Sequence, residues 1–81
     1  MNQKKVTKDE LFLLKLYQLA VGRGDPTTEI DRYSVGKLIG QNDRGVDTIV
    51  NNLAQINFLK KGEGSAVYLT SQGLKFLEEH T

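Results

Sequence analysis

The segment from Val46 to Ile56 constrains the fold most, because its apolar residues recur with helical spacing. At 100° per residue, five apolar side chains share an arc of about 120°; they are Val46, Ile49, Val50, Leu53 and Ile56. Six polar side chains point the other way: Arg44, Asp47, Thr48, Asn51, Asn52 and Gln55. One face of this helix is therefore predicted to pack in a core. The other faces solvent or a partner.

Length and composition limit the chain to one small domain. The sequence of 81 residues has room for one hydrophobic core, so we expect a single domain over residues 1–81, with residues 1–6 as a disordered tail. The chain has no cysteine, which excludes disulfides and thiolate chemistry and fits a reducing, cytoplasmic location. A net charge of +1 gives no strong global field to attract nucleic acid.

The first helix has a clear start and an unusually wide apolar face. Thr7 and Glu10 have the spacing of a capping box, and the helix is predicted to run to about Val21, with Gly22 in the left-handed C-cap position. Its apolar positions span roughly 220° of the helical wheel. Either this helix lies in the middle of the domain, or its surplus apolar surface faces a second copy. It is too short to cross a bilayer, and no membrane association is expected.

A second helix is predicted just before the central one. Residues 27–30 are expected to be extended, and Asp31 to cap a helix that runs to Ile39. Gly36 in its middle costs about 1 kcal/mol relative to alanine, which indicates close approach of the next helix. Residues 40–42 form a turn, after which Asn42 or Asp43 caps the central helix. The residues available for burial are Tyr33, Val35, Leu38 and Ile39.

The spacing of apolar residues changes from helical to extended after the central helix. Residues 58–61 and 66–69 are two extended runs that flank the glycine-rich loop 62–65, which is typical of a β-hairpin. Thr70 or Ser71 is then predicted to cap a last helix that frays at His80. Its inner side carries Leu74, Phe76 and Leu77.

The order helix, short strand, helix, turn, helix, hairpin, helix resembles a winged helix-turn-helix domain of the MarR-like and PadR-like regulators. The motifs that carry the resemblance are Val35-Gly36-x-x-Ile39-Gly40, Val46-x-x-Ile49-Val50-x-x-Leu53, Ile56-Asn57-Phe58-Leu59 and Leu69-Thr70-x-x-Gly73-x-x-Phe76-Leu77. The resemblance covers nearly the whole chain and implies an α+β, mainly α fold. The chain departs from the usual pattern in its acidic residues Asp43 and Asp47, where such helices often carry basic or neutral side chains.

The resemblance implies a small sequence-specific DNA-binding protein that regulates transcription. The helix around residues 43–57 would lie in the major groove of double-stranded DNA, and the wing at residues 59–69 on the backbone or in the minor groove. Amide side chains on that helix suit adenine; they are Asn51, Asn52 and Gln55.

Other side chains would extend this contact. Arg44 suits guanine, Asp47 can accept a hydrogen bond from cytosine N4, and Thr48 suits a phosphate or a thymine methyl group. Lys60 and Lys61 in the wing would lie near phosphates or the minor groove. Because one copy has few basic groups, a homodimer through the first helix would strengthen binding by joining two half-sites.

Two other interpretations remain open. The polar residues of the central helix are also what any solvated helix face carries, and a winged helix can serve as a protein–protein interaction module without binding DNA. Asp43 and Asp47 separate these functions, because they repel phosphates but favour a basic protein. An enzyme is not expected: His80 is the only histidine and lies near the end of the chain. No catalytic residue, metal site or cofactor is predicted.

Overall fold

The structure of the protein is a computed structural model that describes residues 7–80, without the side chain of His80. The expected disordered tail at residues 1–6 lies outside the described residues.

Four helices and a small antiparallel sheet make up the fold of the described residues. The elements are α1 (Lys8–Gly22), β1 (Ile30–Asp31), α2 (Arg32–Leu38), α3 (Asp43–Gln55), β2 (Leu59–Lys61), β3 (Ala66–Leu69) and α4 (Ser71–His80). The three strands lie in the order β1-β3-β2, with Ile30 opposite Val67 and Leu59 opposite Leu69. The predicted α+β, mainly helical class and the hairpin are confirmed. Within residues 7–80, no helix is long and apolar enough to cross a membrane.

Each helix begins where a side-chain oxygen satisfies a free backbone N–H. Thr7 and Glu10 form the predicted capping box, with the two reciprocal bonds at 3.1 and 3.2 Å. Asn42, not Asp43, caps α3. Its side chain accepts a hydrogen bond of 2.8 Å from the backbone N–H three residues later. Thr70, not Ser71, caps α4 in the same way at 3.0 Å. Asp31 caps α2 as predicted. These local signals fix the starts of all four helices.

The first three helices end alike, in a Schellman motif. The residue after each C-cap has a positive φ: 109° at Gly24, 74° at Gly40 and 63° at Asn57. In each case its N–H bonds the carbonyl three residues back, and the following N–H bonds the carbonyl five residues back, at 2.9 to 3.4 Å. The prediction that Gly22 takes the left-handed position was wrong, because α1 includes Gly22 and turns at Gly24.

The core lies between α1, the inner face of α3 and the sheet. Its buried apolar side chains are Phe12, Leu13, Leu16, Ala20, Ile30, Val35, Val46, Ile49, Val50, Leu53, Leu59, Val67, Leu69 and Leu77. The helix α1 contacts the other three helices as well as β1 and β3, so most of its wide apolar face is used within the domain. Tyr17 and Val21 remain exposed on it.

Two apolar residues predicted to be buried are not. Leu38 is 59% exposed and Ile56 is 54% exposed. Each lies in or beside the last turn of its helix, where the chain turns away from the core before the next element begins. The buried arc of α3 therefore stops at Leu53.

Glycines allow two close contacts that position α3 and α4. A Cβ atom at Gly36 would overlap Cγ2 of Val46, so α2 and α3 approach as the sequence predicts. A Cβ atom at Gly73 would overlap the carbonyl oxygen of Phe58, which holds α4 against the start of the hairpin. Because Val46 is wholly buried, its side chain has little room to move.

Candidate functional site

The exposed side of α3 carries polar side chains along its whole length. We call it the α3 polar face, and it consists of Arg44, Thr48, Asn51, Asn52 and Gln55, all exposed. Within residues 7–80, the side chains of Arg44, Asn52 and Gln55 make no hydrogen bond to another group. The Thr48 hydroxyl donates to the Arg44 carbonyl at 3.2 Å. The face thus offers several donors and acceptors to a partner.

The hairpin lies beside this face and touches it through one lysine. Lys61 Nζ donates to Asn51 Oδ1 at 2.9 Å. Because a lysine only donates, this bond fixes which end of the Asn51 amide faces the hairpin. Successive side chains of a strand point to opposite faces, and Lys60 accordingly lies away from α3. It lines a shallow cleft with Tyr68 and Gln72. Of the two predicted wing lysines, only Lys61 joins the α3 polar face.

Asp47 lies at the edge of the α3 polar face and has partners within the chain. Its Oδ1 atom accepts from Arg32 Nη1 at 3.3 Å and from the Tyr33 hydroxyl at 2.8 Å. The hydrogen bond to this carboxylate, followed by desolvation, raises the pKa of Tyr33 above its ordinary value of 10.0. The contact of Asp47 with cytosine stays a prediction. Asp43 is exposed in the first turn of α3.

The carboxylates of Glu29 and Glu63 lie at the hairpin loop, and sequence reasoning missed the first of them. A Cβ atom on Gly62 would lie 2.6 Å from Cδ of Glu29, so the carboxyl group of Glu29 lies directly over this glycine. Glu63 follows in the loop. The negative charges of these two residues offset the positive charges of Lys60 and Lys61. No local signal links Glu29 to the hairpin, because only tertiary folding brings them together.

The arrangement suits binding through hydrogen bonds and charge. Among the described residues, no group of three histidine, cysteine or acidic side chains is placed to hold a metal ion. Most residues that line the groove beside the first turns of α3 have polar side chains, Lys8, Gln41, Arg44 and Asn52 among them.

Comparisons with protein-family models, with curated proteins and with solved structures find no match to this chain. The chemistry of the surface formed by α3 and the hairpin is therefore the basis on which a function can be assigned.

Proposed function

We propose that this chain is a small sequence-specific DNA-binding protein that regulates transcription. In this proposal α3 enters the major groove, and the hairpin at residues 59–69 contacts the backbone or the minor groove. One observation carries it: α3 is buried along one face, and three side chains of its other face have no partner within residues 7–80, next to a hairpin that touches that face. They are Arg44, Asn52 and Gln55.

The arrangement of the elements supports a winged helix-turn-helix. The helices α2 and α3 are joined by a short turn, and the missing side chain at Gly36 brings them into contact. The hairpin follows α3 directly, and β1 pairs with its second strand. In helix-turn-helix proteins the second of two such helices reads base edges.

The chemistry of the α3 polar face supports readout of bases. The amides of Asn52 and Gln55 each supply a donor and an acceptor, which is the pair that adenine requires, and the Arg44 fork matches guanine. The Thr48 hydroxyl is already bonded within the helix, which favours contact of its methyl group with thymine over a bond to phosphate.

A homodimer would compensate for the small number of basic groups. Two copies double the phosphate contacts and join two half-sites. An apolar groove between α1 and α4 supports this arrangement, and it is lined by Leu14, Tyr17, Pro26 and Leu74 among others.

A protein–protein interaction module is the second candidate function, and the acidic residues favour it. Asp43, Glu29 and Glu63 lie on or near the same surface, and they would repel phosphates but attract a basic protein. The net charge of +1 adds no attraction for DNA.

Titration of a random duplex pool at two salt concentrations, with the oligomeric state measured in parallel, separates these functions. DNA binding predicts an enriched sequence, bound by a dimer, with an affinity that falls as salt rises. If no duplex binds at low salt, the α3 polar face serves a protein partner, and affinity capture with the folded domain follows.

A double variant tests the α3 polar face directly. We expect Arg44→Ala with Asn51→Ala to abolish binding to the enriched duplex without unfolding the domain, because both residues are exposed and a good base contact contributes about 1–3 kcal/mol. The matched control is Gln18→Ala with Arg23→Ala, which removes similar groups from α1 and the following loop. If the first variant binds the enriched duplex with unchanged affinity, α3 is not the helix that contacts the bases.

A further inference from the structure

The geometry points to Arg32 as a positioning residue that holds the hairpin loop and α3 in one fixed relative orientation. Its effect on DNA recognition rests on the proposed function, whereas its effect on the hairpin does not.

Arg32 joins three elements through an almost buried side chain. Its Nε atom donates to the Ser65 carbonyl at 3.0 Å, and its Nη1 atom donates to Asp47 Oδ1 at 3.3 Å. The side chain of Arg32 is only 11% exposed. A charged group so far from water is costly unless it is paired and hydrogen-bonded. Its contacts with the hairpin and with α3 are therefore needed while the chain is folded.

The hairpin loop is held at Ser65 by two neighbouring residues. The Ser65 carbonyl accepts from the backbone N–H of Arg32 at 3.1 Å as well as from its side chain. The Ser65 hydroxyl donates to Asp31 Oδ1. These bonds attach the far end of the hairpin to the start of α2.

The α3 end of the link is equally specific. Asp47 Oδ1 also accepts from the hydroxyl of Tyr33, and the Arg32 guanidinium lies 5.9 Å from the centre of the Tyr33 ring. A planar guanidinium can reach two acceptors in different directions at once, which an ammonium group does poorly. The requirement is therefore for arginine and not for positive charge alone.

The hairpin is thus anchored at both ends. At its base, the Phe58 N–H bonds the Leu53 carbonyl at 2.9 Å, so the first strand continues rigidly from α3. At its loop, Arg32 connects Ser65 back to Asp47. The Lys61–Asn51 contact, by comparison, joins two exposed side chains and constrains the hairpin little. Without the Arg32 side chain, the loop end keeps its bonds to Asp31 and to the backbone N–H of residue 32 but loses its link to α3.

The first test measures the hairpin without DNA. Amide hydrogen exchange is followed by NMR for the wild-type chain, Arg32→Met and Arg32→Lys, with Arg23→Met as the matched control from an exposed loop. We expect Arg32→Met to lose roughly tenfold protection at Ala66 and Gly62, whose N–H groups close the hairpin loop. Amides in α1 keep their protection. We expect Arg32→Lys to restore little of the lost protection, and Arg23→Met to leave the protection of all these amides unchanged.

The second test measures recognition at a temperature where every variant is folded. If the wild-type chain selects a duplex, its specificity is the ratio of its affinities for the selected duplex and for a scrambled one. We expect Arg32→Met to reduce this ratio by roughly tenfold, because loss of the fixed orientation weakens contacts with base edges more than contacts with phosphates. Should Arg32→Met not fold, Asp47→Asn removes the negative charge that pairs with Arg32, and we expect it to lower protection of the hairpin by a smaller factor. Only hydrogen exchange is used for this variant, because Asp47 is itself a predicted base contact.

The outcomes separate the two proposals. Equal loss of protection in α1 and in the hairpin, or no loss in either, would overturn the positioning role. A loosened hairpin with an unchanged affinity ratio would overturn its part in recognition. If the wild-type chain binds no duplex, the DNA-binding proposal fails, and the exchange data still decide whether Arg32 holds the hairpin.

Discussion

Asp31 links the start of α2 to the hairpin through one carboxylate. It accepts from the Ser34 N–H at 3.2 Å and the Ser34 hydroxyl at 3.1 Å, and from the Ser65 hydroxyl through its other oxygen. The bond from Ser65 is the main reason that the pKa of Asp31 lies below its ordinary value of 3.8, and the bonds from Ser34 add to it. The ionised form is therefore favoured by the fold.

This shift predicts an acid-dependent loss of stability. Between the lowered pKa in the folded state and the ordinary 3.8 of the unfolded state, the unfolded chain binds more protons, so stability rises with pH. The contribution of Asp31 is present above pH 3.8 and is lost as the pH falls through the folded value. Urea unfolding across this range measures it. Asp31→Asn is expected to flatten the pH dependence, and an unchanged profile would contradict the assignment.

Asp25 contributes to the same pH range and must be measured beside it. Its pKa is also lowered, chiefly by the Thr27 hydroxyl and then by the Thr27 N–H, at 2.7 and 2.8 Å. An Asp25→Asn variant accordingly removes a separate part of the acid dependence. The two effects are expected to add, because the two aspartates share no hydrogen-bond partner within residues 7–80.

At the scale of the elements, two glycines decide how closely neighbouring elements pack. We expect Gly36→Ala and Gly73→Ala each to lower the free energy of unfolding by about 1–3 kcal/mol, because the added methyl group overlaps Val46 or the Phe58 carbonyl. At Gly22 nothing lies within 4 Å of the position that an added methyl group would take, so Gly22→Ala is expected to stabilise α1 by up to about 1 kcal/mol. Urea unfolding of the three variants measures both the two expected decreases and the one expected increase in the free energy of unfolding.

A double variant identifies the cause of the loss at Gly36. Val46→Ala removes the methyl group that Gly36→Ala would overlap, so the pair is expected to be less destabilised than the sum of its members. Strict additivity would mean that the loss does not come from contact with Val46. Backbone entropy cannot cause it, because alanine is the better helix former.

The helix starts are predictable from sequence, whereas the helix ends are less so. A capping side chain bonds an N–H two or three positions away, so Thr7 and Asp31 are recognisable within a few residues. A left-handed turn is set by where the core contact stops, which depends on the rest of the fold. For this reason the sequence predicts the turn at Gly22 and not at Gly24, and it gives no signal for the left-handed conformation of Asn57.

At the scale of the whole molecule, the sequence located the exposed surface but not its internal partners. The period of α3 was sufficient to place Arg44, Asn52 and Gln55 on one exposed face. Pairing between distant segments leaves no such signal, so the link from Asp47 to Arg32 and the position of Glu29 over Gly62 emerge only in the folded chain. Contact of α3 with DNA stays a prediction.

Glu29 provides a charge test that distinguishes DNA from a basic protein as the partner. Its carboxylate lies over the hairpin beside Gly62, where it would repel phosphates. We expect Glu29→Gln to raise affinity for duplex DNA about two- to five-fold at low salt, which is the size of one screened charge interaction at a surface. The gain should vanish at high salt, since the Debye length falls to about 3 Å at 1 M.

The matched control for this test is Glu79→Gln, which removes the same charge from the exposed side of α4. If both variants gain affinity equally, net charge explains the effect and the hairpin has no special position relative to DNA. If Glu29→Gln leaves DNA binding unchanged but weakens binding to a basic protein, the carboxylate belongs to a protein interface. Only a gain confined to Glu29→Gln, on duplex DNA and at low salt, agrees with a hairpin that lies against phosphates.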